Sequence, residues 1–243
     1  MRPLTLLCLP YAGGSSAVFR DWEGRLPSWI KVRAVDLPGH GMRTGEASLS
    51  EWEPLLDWLL SELRWLRSPF AIFGHSMGAL VGFELAHALR RVGRPGPVWF
   101  GASGCTAPSR RQREMKWLVC PEAELVAELQ KLGGTPPELL QHRELLDLVL
   151  PTLRNDFHLC GSYSRADRAA LDCPILVLGG TRDTDVSDPS ENLSAWALET
   201  KGPCTVHMID DGHFFIDSRR DEVLVKLAHS LAHASATRGA LYA

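Results

Sequence analysis

Six short apolar segments, separated by stretches with helical periodicity, constrain the fold of this chain more than any other feature. They lie at residues 4–9, 32–37, 70–73, 98–102, 175–178 and 205–209. Apolar runs this short and continuous are typical of strands that are covered on both faces. Between them, residues 52–63 and 80–89 carry apolar side chains at helical spacing. An alternation of strand and helix predicts a parallel sheet with crossover helices.

The alternation stops between residues 106 and 168. There, residues 122–129 and 139–150 have the pattern of amphipathic helices, with no apolar strand between them. We therefore predict an α/β fold with a mostly parallel central sheet and helices on both faces. Residues 1–105 and 169–243 would form the core, and residues 106–168 a helical lid insertion that covers the carboxyl edge of the sheet. The alternative is a helical layer that only completes the core.

Composition excludes several classes of protein. A chain of 243 residues can form one large α/β domain. Its 45% hydrophobic content, 23% charged content and net charge of -3 give no reason to expect nucleic acid binding. The six cysteines show neither a C-x-x-C pair nor a zinc-ligand spacing, so we expect reduced thiols and no metal. Because no apolar run reaches the length of a membrane span, we expect a cytoplasmic protein that does not bind membranes. We also expect a monomer.

The third apolar segment leads into the sequence Gly74-His75-Ser76-Met77-Gly78, which has the pattern Gly-x-Ser-x-Gly. On a strand-to-helix turn, such a serine has a strained backbone that lifts its hydroxyl clear of the sheet. A Cβ atom at either glycine would crowd the turn against its neighbours. The strand before and the helix after favour a nucleophilic Ser76 over an ordinary loop serine.

A serine nucleophile needs a base that is itself oriented by a carboxylate. The α/β-hydrolase arrangement has these groups in the chain order Ser, Asp, His. Asp183 follows the fifth apolar segment and His213 follows the sixth, at the edge where the carboxyl ends of parallel strands meet. We predict Asp183 as the acid, with Asp185 as the alternative, and His213 as the base. His75 is interpreted as a support for the turn.

The oxyanion of such a reaction needs two backbone donors that are already in position. Met77 N–H, at the start of the helix after the nucleophile, is predicted as one of them, since the helix dipole adds to its field. The glycine-rich loop after the first strand is predicted to supply the other, from Ala12, with Gly13 as the alternative. This chemistry requires no metal and no organic cofactor.

Six segments of the chain, taken together, resemble the type II thioesterases that accompany nonribosomal peptide and polyketide synthases, which are α/β-hydrolases. The resemblance covers nearly the whole chain, and its segments lie at residues 9–15, 36–43, 73–79, 153–157, 179–183 and 212–215. The glycine-rich opening, Leu-Arg-x-Asp-Phe at 153–157 and Gly-His-Phe-Phe at 212–215 are specific in combination. The resemblance implies Ser76, Asp183 and His213 as the triad, with Ala12 and Met77 as the oxyanion donors.

The same resemblance implies hydrolysis of stalled or aberrant acyl groups from the phosphopantetheine arm of acyl- or peptidyl-carrier proteins. A general serine carboxylesterase, an acyltransferase and a noncatalytic hydrolase-like binding module remain alternatives, because fold and triad do not fix the acceptor or the leaving group. Haloalkane and epoxide chemistry is disfavoured, since an aspartate would then be expected at the nucleophile position.

A short basic segment at the start of the insertion is the candidate docking site for an acidic carrier protein. It contains Arg110, Arg111 and Arg113. Complementary charge would assist docking there. A solvated helix face is the competing interpretation.

Overall fold

One parallel sheet organises the chain, which the computed structural model describes over residues 3–134 and 142–241. Within these ranges six strands form the sheet, in the order β2-β1-β3-β4-β5-β6, and every neighbouring pair is parallel. The strands are β1 Leu4–Leu9, β2 Ile30–Ala34, β3 Phe70–His75, β4 Phe100–Ser103, β5 Ile175–Gly180 and β6 Cys204–Ile209. The predicted α/β architecture is confirmed.

Helices connect the strands and cover the sheet. They are α1 Trp22–Arg25, α2 Trp52–Glu62, α3 Met77–Arg91, α4 Glu122–Leu132, α5 Arg143–Ser162, α6 Pro189–Ser194, α7 Phe215–Ser218 and α8 Arg220–Leu241. None of the helices in the described ranges is both long enough and apolar enough to cross a membrane.

Successive side chains of the central strands enter two different hydrophobic cores. Leu7 and Leu9 of β1 belong to the core beneath α2 and α3, whereas Leu6 and Cys8 belong to the core beneath α1 and α8. This division follows from the twofold period of a strand, which points consecutive side chains to opposite faces of the sheet. Because both faces of β1 are covered, its sequence is a nearly continuous apolar run, with Thr5 as the one polar residue among its six.

β2 and β4 begin away from their predicted positions, and β3 and β5 each end two residues later than predicted, at His75 and Gly180. β2 pairs Ile30 with Leu4 and Ala34 with Cys8, so it begins earlier than residue 32 and ends before residue 37. The Val35 N–H still donates to the Cys8 carbonyl at 3.1 Å, but the chain then leaves the ladder. β4 begins at Phe100 instead of residue 98. In β2 and β4 the apolar run reports burial, which extends beyond the residues of the ladder, although the Val98 N–H still donates to the Phe70 carbonyl at 2.8 Å.

In the described part of the segment predicted as an insertion, α4 and α5 are the main elements, and the apolar side chains divide between two clusters. α5 continues through Pro151 to Ser162, well beyond the predicted end at residue 150, whereas residues 139–141 lie outside the described ranges. Leu159 and Tyr163 pack into the core beneath α2 and α3. A separate cluster contains Trp117, Cys120, Leu125, Leu129, Leu146, Leu150 and Leu153.

Candidate active site

Ser76 occupies a sharp turn between the last residue of β3 and the first residue of α3. Its backbone has φ +52° and ψ -117°, a conformation that a residue with a side chain rarely adopts. A Cβ atom on Gly74 would lie 2.1 Å from the Gly78 carbonyl oxygen, and one on Gly78 would lie 2.1 Å from the Leu9 carbonyl oxygen. Both glycines are therefore required by close backbone contacts, as the motif predicts.

Asp183 and His213 form a buried pair at the carboxyl ends of β5 and β6. The His213 Nδ1 and Asp183 Oδ2 atoms are 2.8 Å apart, and the exposed fractions of the two residues are 5% and 6%. Asp185 is exposed, and its backbone N–H donates to Asp183 Oδ1 at 2.9 Å. The geometry thus brings Asp183, and not Asp185, to the imidazole. Asp185 contributes a backbone donor that helps to orient the Asp183 carboxylate.

The surroundings of His213 favour a basic imidazole. Burial by itself lowers the pKa of His213, because it penalises the charged form. The hydrogen bond and the charge of Asp183, together with the charge of Asp185, outweigh burial and raise the pKa above its ordinary value. With Nδ1–H directed at the carboxylate, Nε2 is the nitrogen that can accept a proton.

The predicted oxyanion donors lie on the two elements that flank the nucleophile. Met77 begins α3, where the first backbone N–H groups of a helix lack intrahelical acceptors. Ala12 follows β1 in the glycine-rich loop. The Gly13 N–H donates to Asp156 Oδ2 at 2.7 Å, so it is already engaged. This contact favours Ala12 over Gly13 as the second donor.

A cavity of about 720 Å³ opens onto both Ser76 and His213. Ala12 and Gly13 also border it. Much of the remaining wall is apolar and comes from the helical segment, through Leu129, Leu132, Leu148, Val149, Leu153 and Phe157. An apolar wall beside a nucleophile suits the hydrocarbon part of an acyl group.

His75 lies beneath the site and has no access to solvent. Its Nδ1 is 2.9 Å from the Ser103 hydroxyl, and its ring centroid is 5.2 Å from that of His213. Burial, reinforced by the nearby His213, lowers the pKa of His75 well below its ordinary value. A neutral, enclosed imidazole suits the supporting role that the sequence suggests.

Three polar residues for which the sequence indicates no role, Asp36, His40 and Asp156, anchor the glycine-rich loop. Asp36 accepts the Ser16 N–H at 2.6 Å and the Met42 N–H at 3.1 Å. Asp156 accepts the Gly13 N–H, and it also lies 2.8 Å from His40 Nε2. The sequence shows only that these residues belong to the segments 36–43 and 153–157. Their contacts could not be predicted from spacing, because the segments are far apart in the chain.

The basic segment does not form the free cationic surface that we predicted. Arg110 forms an ion pair with Glu191 at 3.0 Å. Arg111 is half-buried and turns inward, where it donates to the Cys160 carbonyl at 3.4 Å. The segment is a single 3-10 turn at Pro108–Arg110 followed by non-helical chain, so the solvated-helix interpretation is also wrong. Of the three arginines, Arg113 alone is exposed and forms no ion pair with a carboxylate in the described part of the chain.

Comparison with known proteins identifies the family. The family model of the thioesterase domain matches residues 4–231. This chain belongs to the thioesterase family. The gramicidin S biosynthesis protein GrsT of Aneurinibacillus migulanus is 36% identical over 222 residues, which cover 91% of this chain and 86% of GrsT.

Solved structures agree with this membership. The RedJ thioesterase of the prodiginine pathway of Streptomyces coelicolor is 34% identical with a TM-score of 0.86, covering 94% of this chain and 85% of RedJ. YbtT, a type II thioesterase from the yersiniabactin pathway, is 31% identical with a TM-score of 0.82, covering 96% of this chain and 94% of YbtT. The resemblance to type II thioesterases and the α/β-hydrolase fold are confirmed, and this thioesterase is a serine hydrolase by family.

Proposed function

We propose that this thioesterase removes stalled or aberrant acyl groups from the phosphopantetheine arm of carrier proteins in nonribosomal peptide or polyketide biosynthesis. The proposal depends on one observation. Ser76, with its strained backbone, and His213 line the same apolar cavity, and His213 Nδ1 is hydrogen-bonded to the buried Asp183. Similarity to YbtT, from the yersiniabactin nonribosomal peptide and polyketide pathway, and to GrsT, a gramicidin S biosynthesis protein, supports the biosynthetic setting.

In the proposed reaction, His213 Nε2 takes the proton of the Ser76 hydroxyl as its oxygen attacks the thioester carbonyl carbon. The negative charge that develops on the carbonyl oxygen is stabilised by the backbone N–H groups of Ala12 and Met77. Collapse of this intermediate breaks the carbon–sulfur bond, and the thiol leaves with a proton from His213. The acyl group is then esterified to Ser76.

Hydrolysis of the acyl-serine repeats these steps with water as the nucleophile. His213 takes a proton from the water and returns it to Ser76, while Asp183 keeps the imidazole oriented and stabilises its charged form. The acyl chain would lie along the apolar wall formed by α4 and α5. The segment 106–168 would then act as the lid over the core formed by residues 1–105 and 169–243.

Loss of the nucleophile tests the proposal directly. Ser76→Ala is expected to abolish hydrolysis of an acyl thioester on a phosphopantetheinylated carrier protein, measured as free thiol released. The control Ser61→Ala changes an exposed serine on α2 and should retain wild-type turnover. Turnover by Ser76→Ala at a substantial fraction of the wild-type rate would contradict the assignment.

The leaving group is tested by comparing three substrates that carry the same acyl chain. We expect kcat/KM to decrease from the carrier-bound thioester to a small soluble thioester and then to a p-nitrophenyl ester. Equal kcat/KM values for the carrier-bound and soluble thioesters would contradict the proposal that the enzyme recognises a carrier protein. A preference for the oxygen ester would instead indicate a general carboxylesterase.

A fluorophosphonate probe that labels the wild type but not Ser76→Ala would exclude a noncatalytic module.

A further inference from the structure

A single carboxylate oxygen connects α5 to the loop that carries the predicted oxyanion donor. Asp156 Oδ2 accepts the Gly13 N–H at 2.7 Å and lies 2.8 Å from His40 Nε2. The exposed fractions of Asp156 and His40 are 2% and 4%. Three segments far apart in the sequence thus converge on one buried atom: α5, the loop after β1 and the turn after β2.

Both ring nitrogens of His40 face acceptors. Nδ1 is 3.0 Å from the Pro38 carbonyl oxygen, and Nε2 faces the Asp156 carboxylate. Only the imidazolium form donates from both nitrogens. Burial lowers the pKa of His40, but the hydrogen bond and charge of Asp156 and the backbone carbonyls outweigh it, so the pKa is raised. The positive imidazolium in turn compensates the buried negative carboxylate, which would otherwise be costly to bury.

The contact with Gly13 acts on the conformation of Ala12. The peptide unit that joins these residues is planar, so holding the Gly13 nitrogen limits rotation about the adjacent Ala12 backbone bonds. Gly13 has φ +72°, and Gly14 N–H donates to the Tyr11 carbonyl at 2.9 Å, which closes a tight turn around Ala12. Glycines leave such a loop with many accessible conformations unless it is held by outside contacts.

An apolar side chain of α5 also packs closely against the same loop. A Cβ atom on Gly13 would lie 2.6 Å from Leu153 Cδ2, one turn of α5 before Asp156. α5 therefore approaches the loop with both an apolar and a charged side chain. The apolar contact borders the cavity, whereas the carboxylate reaches the backbone behind it.

We propose that Asp156, supported by His40, is a positioning residue that holds the Ala12 N–H where the oxyanion forms. This inference rests on the proposed function, because it requires Ala12 to be an oxyanion donor. It adds a catalytic consequence to a helix that also lines the acyl cavity and packs against the core. Preorganised donors stabilise a transition state strongly because they need no rearrangement as charge develops.

Asp156→Asn tests the proposal with almost no change in shape. The amide lacks the negative charge that supports the His40 imidazolium, and a neutral amide oxygen accepts hydrogen bonds from the two donors more weakly than a carboxylate oxygen does. Using a small soluble thioester, we expect kcat to fall about 10- to 100-fold, with KM changed less than about threefold, because the loss concerns the transition state.

The adjacent residue supplies a matched control. Asn155 lies on the same helix, and its Nδ2 donates to the Ser48 hydroxyl at 2.6 Å. Asn155→Ala therefore removes a polar contact between α5 and the core without touching the Gly13 contact. We expect its kcat to stay within about threefold of the wild-type value, as is usual for changes outside the reacting geometry.

A trifluoromethyl ketone with the same acyl chain separates positioning from general structural damage. Its adduct with a serine carries an oxyanion, whereas the corresponding methyl ketone serves as a ground-state analogue. In Asp156→Asn the inhibition constant of the fluoroketone should rise in parallel with the fall in kcat, while that of the methyl ketone stays unchanged. Thermal unfolding of each variant verifies that it is folded.

Several outcomes would overturn this inference. They are an unchanged kcat in folded Asp156→Asn, a rise in KM alone, or a loss of kcat without weaker fluoroketone binding. If Asp156→Asn does not fold, His40→Gln provides the second test, with the same expected coupling of kcat to fluoroketone affinity. A wild-type protein without thioesterase activity would refute the proposed function itself, which distinguishes the two failures.

Discussion

At the residue scale, the position of each carboxylate relative to His213 decides its effect. Asp183 is buried and directed at Nδ1, where its charge acts with little screening. Asp185 is exposed, and its charge acts on the same imidazole from a solvated position. Two residues with the same chemistry, two positions apart, are therefore expected to differ greatly in catalytic effect.

Replacement of the two carboxylates measures this difference. We expect Asp183→Asn to lower kcat by about 10⁴-fold, the loss typical of a triad whose imidazole is in the wrong tautomer. His213 acts as a base only when it is neutral, so activity is lost as the pH falls through its pKa. Because Asp183 raises that pKa, the residual activity of Asp183→Asn should persist to lower pH than wild-type activity.

The pH profile of kcat/KM provides the measurement. Asp185→Asn is the control, since it keeps the backbone N–H that binds Asp183, and we expect a loss of no more than about tenfold, in line with a solvated charge. A larger loss in Asp185→Asn than in Asp183→Asn would reverse the assignment of the acid.

At the element scale, the nucleophile turn depends on how closely α3 approaches β1. Gly78, in the first turn of α3, lies against the Leu9 and Pro10 carbonyl groups at the end of β1. The same strand end leads directly into the loop with Ala12. One close contact between a helix and a strand therefore sets the relative position of Met77 and Ala12, the two predicted oxyanion donors.

Gly78→Ala tests this packing. The added Cβ would lie 2.1 Å from the Leu9 carbonyl oxygen, so backbone must move. We expect a loss of about 1–3 kcal/mol in the free energy of unfolding, as for other overpacked sites, together with reduced kcat. Denaturant titration provides the measurement.

Gly24→Ala is the matched control for that experiment. No heavy atom lies within 4 Å of the position that its Cβ would occupy, and the residue is exposed on α1. Alanine in a helix is more favourable than glycine by up to about 1 kcal/mol, so this variant should be as stable as the wild type or more so. Equal destabilisation by both substitutions would contradict the packing argument.

At the scale of the whole molecule, four histidines with shifted pKa values shape the pH dependence of stability. Burial of His87, with the charges of Arg168, Arg90 and Arg165, lowers its pKa to about 3. Between that value and the ordinary one near 6.5, the unfolded chain binds a proton that the folded chain does not. His87 therefore makes the protein less stable as the pH falls through this range. The lowered pKa of His75 likewise makes the protein less stable as the pH falls. The raised pKa values of His40 and His213 make it more stable as the pH falls.

His87→Gln isolates the effect of this residue. Between pH 7 and pH 5 the contribution of His87 should fall by about 2 kcal/mol, so the variant should lose less unfolding free energy over this interval than the wild type does. Urea titrations at the two pH values provide the comparison. His207→Gln, at an exposed position on β6, should lose as much as the wild type. An identical loss in His87→Gln would refute the assignment of a neutral, buried His87.

Local signals in the sequence determined the order of the elements, the parallel sheet and the turn at Ser76. Continuous apolar runs report burial on both faces, and glycine spacing reports close backbone contact, so each can be recognised within a few residues. The same signals predicted Asp183 and His213, because both directly follow strands. The same signals predicted the wrong bounds for β2, because burial extends past the residues that pair in the sheet.

Only the tertiary structure decided which distant groups meet. Asp156 contacts His40 and Gly13 across separations of 116 and 143 residues. Arg111 turns inward although its neighbours in the sequence suggest a charged surface. Such contacts depend on the direction and burial of side chains after the elements pack. A motif can therefore reveal which residues matter, while the packed chain decides what each of them touches.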